Sequence, residues 1–313
     1  MALSEFALIK RYFQSSATAP GVVLGIGDDA AILTVTAGHE LVVAVDTSVA
    51  GIHFPGDSDP FDIAWRALAT NISDLASMGA IPRWYTLALT LPDINEAWLA
   101  AFSAGLFELA SEVGMTLVGG DTTRGPLSIT ITVHGELAAG TALRRDGAKP
   151  GDRVWVSGVP GLAALGLHQW GRSVFDHEAR TRFCRPQPRW VLGQRLQGHA
   201  SACIDVSDGL LADAAHIAGR SGVAIELDAD ALPRHTAFDG LDEIVFQQLA
   251  LAGGDDYELC FTAPPDAHDA ILRLARELGV PCACIGLVTA GEGAQCAGTL
   301  AHIQGYDHFR DTP

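Results

Sequence analysis

The sequence is poor in positive charge. Against 37 aspartates and glutamates stand 20 lysines and arginines, a formal net charge of −17 over 313 residues. Gripping nucleic acid or an anionic membrane needs a basic footprint, so neither partner is expected. Long apolar runs are also missing: none approaches the roughly 18 residues of a membrane span. Met1-Ala2-Leu3-Ser4-Glu5-Phe6 has no basic stretch leading into an apolar one, so no secretory signal is predicted. The six cysteines, at 184, 203, 260, 282, 284 and 296, form no C-x-x-C pair. That spacing argues against a zinc site or a thioredoxin-like motif. Cys282 and Cys284 alternate along a predicted strand and read as reduced core residues. Together these absences point to the cytoplasm.

Familiar catalytic motifs are absent as well. There is no G-x-x-x-x-G-K-[ST], so no ordinary P-loop. Neither H-R-D nor D-F-G occurs, nor a G-x-S-x-G nucleophile elbow. A hydrolase nucleophile is therefore not supported.

What remains is a globular composition, 48% apolar and 18% charged, long enough for two domains. Strands and helices alternate. Short apolar runs at 22–26 and 41–45 end at glycine or aspartate. The spacing of Ala64, Ala67, Leu68, Ile72 and Leu75 predicts a helix over 60–78, and 94–113 reads as an amphipathic helix closed by Gly114. Residues 86–91 and the β-branched 128–137 read as strands. The polar cluster Arg144-Arg145-Asp146-Gly147-Ala148-Lys149-Pro150-Gly151-Asp152 is taken as a boundary between domains 1–143 and 144–313. A second unit follows. It has strands at 153–156, 202–204 and 258–262, an alanine-rich helix after Gly158-Val159-Pro160-Gly161, and helices at 210–220 and 267–278. Both halves read as α/β.

Six acidic clusters punctuate this pattern: Gly27-Asp28-Asp29, Val45-Asp46-Thr47, Ser73-Asp74, Gly119-Gly120-Asp121, Asp205-Val206-Ser207-Asp208 and Gly253-Gly254-Asp255-Asp256. Two carboxylates about 4 Å apart repel by about 4 kcal/mol at an effective dielectric of 20. Aspartates placed repeatedly at strand ends and glycine turns call for a hard divalent cation. Magnesium held by carboxylates together with substrate phosphates is the leading case.

Each cluster also has a plain structural reading. Gly25-Ile26-Gly27-Asp28-Asp29-Ala30 matches G-x-G-x-x-A, with Asp46 at dinucleotide-binding spacing. Two aspartates where a pyrophosphate must approach, with no adequate helix following, argue against that fingerprint. Asp74 lies toward the C-terminal end of its predicted helix, where the macrodipole disfavours negative charge, so it needs a partner. Gly119-Gly120-Asp121 is read as a glycine turn open to phosphate or merely capped. Ser207 or Asp208 is a candidate N-cap. His53 is either a phosphate contact or a structural histidine, and Arg145 either a nucleotide contact or a solvated turn residue.

Taken in order, the clusters resemble the thiamine-monophosphate kinase family. The resemblance runs through Glu5-Phe6, Gly25-Ile26-Gly27-Asp28-Asp29, Val49-Ala50-Gly51-Ile52-His53-Phe54, Asn71-Ile72-Ser73-Asp74-Leu75-Ala76-Ser77-Met78-Gly79-Ala80, Gly119-Gly120-Asp121-Thr122-Thr123-Arg124-Gly125, Ile204-Asp205-Val206-Ser207-Asp208-Gly209-Leu210 and Gly305-Tyr306-Asp307-His308-Phe309. It implies a two-domain aminoimidazole ribonucleotide synthetase-like fold with α/β layers. The N-terminal domain is expected to dimerise through its sheet, giving a homodimer, and the C-terminal domain to cover the active site. The implied reaction is ATP plus thiamine monophosphate giving thiamine diphosphate plus ADP, the last step of thiamine diphosphate biosynthesis, with several Mg2+ ions. Carried over by position, Asp29, Asp46, Asp74, Asp121, Asp205 and Asp208 match metal ligands. Gly120, Asp121, Arg145 and Ser207 match ATP contacts, and His53, Asp255 and Tyr306 match substrate contacts.

Two departures stand out. Ala44 and Val45 replace the usual hydroxyl residues before Asp46, leaving any metal contact there to their backbone carbonyls or water. The usual Gly-Gly-Glu-Asp is Gly-Gly-Asp-Asp, so Asp255 is one methylene shorter than the usual glutamate. The alternatives are another ATP-using synthase of the same superfamily and a non-catalytic acidic cation-binding module.

Overall fold

A computed structural model describes residues 5–14 and 19–297. The chain divides into two compact units, Met1–Leu75 with Ala80–Gly140, and Ala76–Gly79 with Thr141–Pro313.

The first unit runs α1 (Glu5–Tyr12), β1 (Val22–Leu24), β2 (Ile32–Leu33), β3 (His39–Val49), α2 (Pro60–Ser77), β4 (Ile81–Leu91), α3 (Glu96–Val113), β5 (Thr116–Arg124) and β6 (Ser128–Ala138). Its main sheet has the order β3-β6-β4-β5. β6 pairs antiparallel with β3 and β4, and β4 pairs parallel with β5. Period-2 alternation buries Ile129, Ile131 and Val133 on one face of β6. Gly135 lies against Leu75 of α2 on this strand. The opposite face of the edge strand β3 exposes Leu41, Val43 and Val45, the last 57% accessible.

Local chemistry sets the helix ends. The Asn95 side chain accepts from the amides of Ala97 and Trp98 at 3.0 and 3.1 Å, starting α3. Gly114, at φ 75°, ends it in the left-handed conformation that glycine adopts at low cost. Leu99, Phe102, Leu106, Leu109 and Val113 form its buried stripe.

The second unit runs β7 (Arg153–Ser157), α4 (Leu162–His168), α5 (His177–Cys184), α6 (Trp190–Leu196), β8 (Ala202–Asp205), α7 (Leu210–Ser221), β9 (Ala224–Asp228), α8 (Glu243–Ala252), β10 (Leu259–Ala263), α9 (His268–Leu278), β11 (Cys282–Thr289) and β12 (Gly293–Ala297). The six strands order β12-β9-β11-β7-β10-β8 and pair antiparallel except β12 with β9. Both faces are covered. Val154, Val156, Ile204, Leu210, Ile217 and Phe246 pack in one core, and Trp155, Leu196, Phe261 and Ile271 in another. The result is a helix–sheet–helix sandwich, which is why β7, β8 and β10 read as nearly continuous apolar runs.

Several expectations need adjusting. The Gly119-Gly120-Asp121 segment is not a turn but the interior of β5. A Cβ on Gly120 would collide with the Leu87 carbonyl, so glycine is required there by strand packing. Cys282 and Cys284 do lie on a strand and are free thiols, but both are only half-buried, unlike the fully buried Cys203 and Cys260. Among the described residues, no helix is long and apolar enough to cross a membrane.

Candidate active site

In the first unit, Gly27-Asp28-Asp29 sits in the loop joining the antiparallel pair β1–β2. No helix follows, so the dinucleotide-binding arrangement is not formed. Asp28 accepts from the Asp29 amide at 2.9 Å, and Asp29 is exposed. Ile26, in the same loop, lines a small cleft together with Phe13, Leu87, Gly119, Gly120 and Asp121. The residue just before the first cluster and the whole of the fourth, about 90 residues apart in sequence, therefore border one concave surface next to the backbone of β5.

The second cluster is tied to the helix that carries the third. The Asp46 amide donates to Asn71 Oδ1 at 3.0 Å, and Asn71 donates to the Ala67 carbonyl within α2 at 2.9 Å. Asn71 is buried, and Asp74 follows it by three residues on the same helix face. Asn71 thus ties the strand carrying Asp46 to the helix carrying Asp74. Sequence reading gives Asn71 no site role, because its contact to the Asp46 amide spans 25 residues.

Cross-strand register aligns Asp46 with Ile131, Leu87 and Gly120. Asp46 and Asp121 occupy opposite edge strands, with β6 and β4 between them, so their backbones are ~14 Å apart at about 4.8 Å per strand. One magnesium ion, with ligands at about 2.1 Å, does not bridge them.

His53 is half-buried, and its Nδ1 accepts from the Val49 amide at 3.0 Å. That bond places the neutral ring's proton on Nε2, making that edge a donor. Val45 is exposed and Ala44 half-buried on β3.

In the second unit, β8 delivers the buried Asp205 into the loop Val206-Ser207-Asp208-Gly209 before α7. Neither Ser207 nor Asp208 caps this helix, contrary to expectation. The N-cap is Gly209, which makes no side-chain cap bond. Instead Asp213, in the first turn of α7, reaches back and accepts from the amides of Ser207 and Asp208 at 2.9 and 3.1 Å. Burial pushes the Asp213 carboxyl up to about 7, and the charges of Asp205 and Asp208 push the same way. Sequence reading missed Asp213, because its role arises from folding back rather than from any motif.

The Gly253-Gly254-Asp255-Asp256 segment lies alongside this loop. Asp255 donates its amide to the Ser207 carbonyl at 2.9 Å, Tyr257 donates to Val206 at 2.8 Å, and Val206 donates to Glu258 at 2.8 Å. Asp255 and Tyr257 have φ of 73° and 50°, a left-handed geometry costing about 1–3 kcal/mol per non-glycine residue. A Cβ on Gly254 would strike the Ser207 carbonyl, so glycine permits the approach.

The two aspartates part company here. Asp256 is buried and accepts from the amides of Gly161 and Ala163 at 2.6 and 3.2 Å, closing the start of α4. Burial raises its carboxyl well above the usual range. Asp255 stays half-exposed. Glu258 is buried in an ion pair with Arg189, whose Nε lies 2.6 Å from its Oε2. The Arg145 side chain is exposed, while its carbonyl accepts from Ser221 Oγ at 2.8 Å. Tyr306 lies outside the described residues.

Among the described residues, no group of three or more His, Cys, Asp or Glu side chains is arranged to hold a metal ion. Magnesium does not need such a cage. It commonly takes one or two carboxylates, with substrate phosphates and waters completing the octahedron. The hard carboxylate oxygens of these aspartates, singly or in pairs, fit that demand.

Residues 27–137 match the AIR synthase related protein, N-terminal domain, and 149–297 match the AIR synthase related protein, C-terminal domain. The mixed sheets and aspartate-bearing strand ends are therefore those of the AIR synthase-like class. Within it, the chain is 47% identical to the thiamine-monophosphate kinase of Salmonella typhimurium over 99% of both chains. The crystal structure of thiamine-monophosphate kinase from Stenotrophomonas maltophilia superposes with a TM-score of 0.87 at 47% identity, covering 96% of this chain and 99% of that one. AaThiL complexed with AMPPCP and TMP superposes with a TM-score of 0.77 at 30% identity, covering 99% of each. This chain belongs to the thiamine-monophosphate kinase family.

Proposed function

We propose that this chain transfers the γ-phosphoryl group of ATP to thiamine monophosphate, giving thiamine diphosphate and ADP. The observation that carries the reading is end-to-end similarity to a protein complexed with AMPPCP and TMP, an ATP analogue and, in this family, the acceptor.

The acceptor is a phosphate oxygen, already anionic at neutral pH, so it needs little help from a general base. It attacks the γ-phosphorus as the bond to the β-phosphate oxygen breaks, and ADP leaves with that electron pair. No phospho-enzyme forms. The difficulty is bringing two polyanions together. Several Mg2+ ions supply the charge neutralisation and in-line alignment. The chain's own task is to hold them, through Asp29, Asp46, Asp74, Asp121, Asp205 and Asp208. Backbone carbonyls of Ala44 and Val45, or water, stand in for the hydroxyls missing there. Gly120, Asp121, Arg145 and Ser207 contact the nucleotide. His53, offering its Nε2–H, Asp255 and Tyr306 contact the thiamine phosphate.

The site works as a cytoplasmic homodimer. Exposed Leu41, Val43 and Val45 on β3 support pairing through that sheet face, since apolar patches on edge strands seek partners.

The test is incubation with ATP, magnesium and thiamine monophosphate, followed by chromatography. Thiamine diphosphate should form and should vanish with chelator. ATP consumed without thiamine diphosphate would contradict the proposal.

A further inference from the structure

We propose that Asp213 is a positioning residue: its buried carboxylate holds the Ser207 and Asp208 amides and thereby sets the loop that carries the nucleotide and metal contacts. The inference rests on the proposed function, which assigns Ser207 and Asp208 to that site, and adds a residue outside the four-residue motif.

Gly209 separates the loop from α7, adopts φ 117° and offers no side-chain cap. Two consecutive amides instead converge on one atom, Asp213 Oδ2, at 2.9 and 3.1 Å. Asp213 is 2% exposed and anchored in the first turn of α7, its own amide bonded to the Gly209 carbonyl at 3.0 Å. On the other side the Ser207 carbonyl accepts from the Asp255 amide. The Ser207 peptide is thus pinned on both faces. Its amide side depends on Asp213, and its carbonyl side on the strained glycine-rich segment. Consecutive amides of this kind form an anion-binding nest. Here an internal carboxylate fills it, so these two amides are already occupied from within the chain.

Position and charge make opposite demands on residue 213. Asparagine keeps an oxygen at the same reach and loses the charge. Glutamate keeps the charge and moves the oxygens by one methylene. Steady-state kinetics on the full chain should show Asp213→Asn within about threefold of wild type in kcat/KM for ATP. Asp213→Glu should fall about 10- to 100-fold, the cost of a roughly 1 Å misplacement. The KM for thiamine monophosphate should stay within about twofold in both, because the loop's assigned contacts are to the nucleotide. Glutamate outperforming asparagine, or asparagine failing as badly as glutamate or failing to fold, overturns the proposal. If Asp213→Glu unfolds the chain, amide hydrogen exchange on wild type decides. Ser207 and Asp208 should be protected, and free exchange at both overturns the assignment. A wild-type chain that makes no thiamine diphosphate would sink the proposed function instead, and the exchange measurement would still judge Asp213.

Discussion

Asp29, Asp46 and Asp121 in the first unit are exposed, whereas Asp205, Asp213 and Asp256 in the second are 5%, 2% and 9% exposed. The first group sits on a hairpin loop and two edge strands, where water screens each charge. In the second group Asp213 and Asp256 are packed at helix starts, where burial disfavours the charged form and backbone amides compensate, and Asp205 ends a buried strand. The same residue type therefore does two jobs. In the first unit Asp29, Asp46 and Asp121 lie at the exposed surface. In the second, Asp213 and Asp256 hold up the architecture around Asp205, Asp208 and Asp255.

That contrast can be broken by substitution. The largest effect is expected from Asp46→Asn or Asp121→Asn. Turnover should fall by about 10³-fold or more if each supports transition-state charge, while unfolding free energy changes by under about 0.5 kcal/mol, as for an exposed residue. A folded variant with wild-type turnover would remove that residue from the site. Next comes Glu258→Ala in the second unit. It strands the half-buried Arg189 guanidinium and should cost about 3 kcal/mol, read from the denaturant midpoint. Asp256→Ala orphans the amides of Gly161 and Ala163 and should cost about 2 kcal/mol. A stable Asp256→Ala chain would show that the α4 start finds water instead.

The smallest effect sharpens the comparison from inside the first unit, where Glu136 is the one buried acid among the described residues. Burial raises its carboxyl, but the Thr36 amide and hydroxyl and the Arg83 guanidinium outweigh that and leave it lowered. A lowered carboxyl stabilises the fold above its unfolded value of about 4.3 and loses that contribution as pH falls through the folded value. Glu136→Gln should therefore be less stable near neutral pH and show a flatter acid limb in a pH series of melts. An unchanged acid limb would assign the shift to other groups.

Much of this was legible in the residues. The stripe of α2, the Asn95–Gly114 limits of α3 and the β-branched β6 follow from spacing and end chemistry that act locally. Gly119-Gly120 misled, because two glycines signal a turn while here Gly120 makes room for the Leu87 carbonyl within a sheet. Helix α5, His177-Glu178-Ala179-Arg180-Thr181-Arg182-Phe183-Cys184, has too few apolar positions to declare itself and is started by Asp176. In the site, the aspartate clusters stood out. What was hidden was the division of labour. Asp255 and Asp256 are equivalent on paper, and only the arrival of α4 at Asp256 separates them. Asp213 and Asn71 act through backbone amides brought near by the fold, a relation no local spacing encodes.

The most direct test is crystallographic: soak crystals of this chain with Mn2+, AMPPCP and thiamine monophosphate and collect anomalous scattering. The expected map has peaks about 2.1–2.3 Å from oxygens of these aspartates, at more than one position, each also touching a phosphate. Bound nucleotide with no metal peak beside any of Asp29, Asp46, Asp74, Asp121, Asp205 or Asp208 would contradict the account.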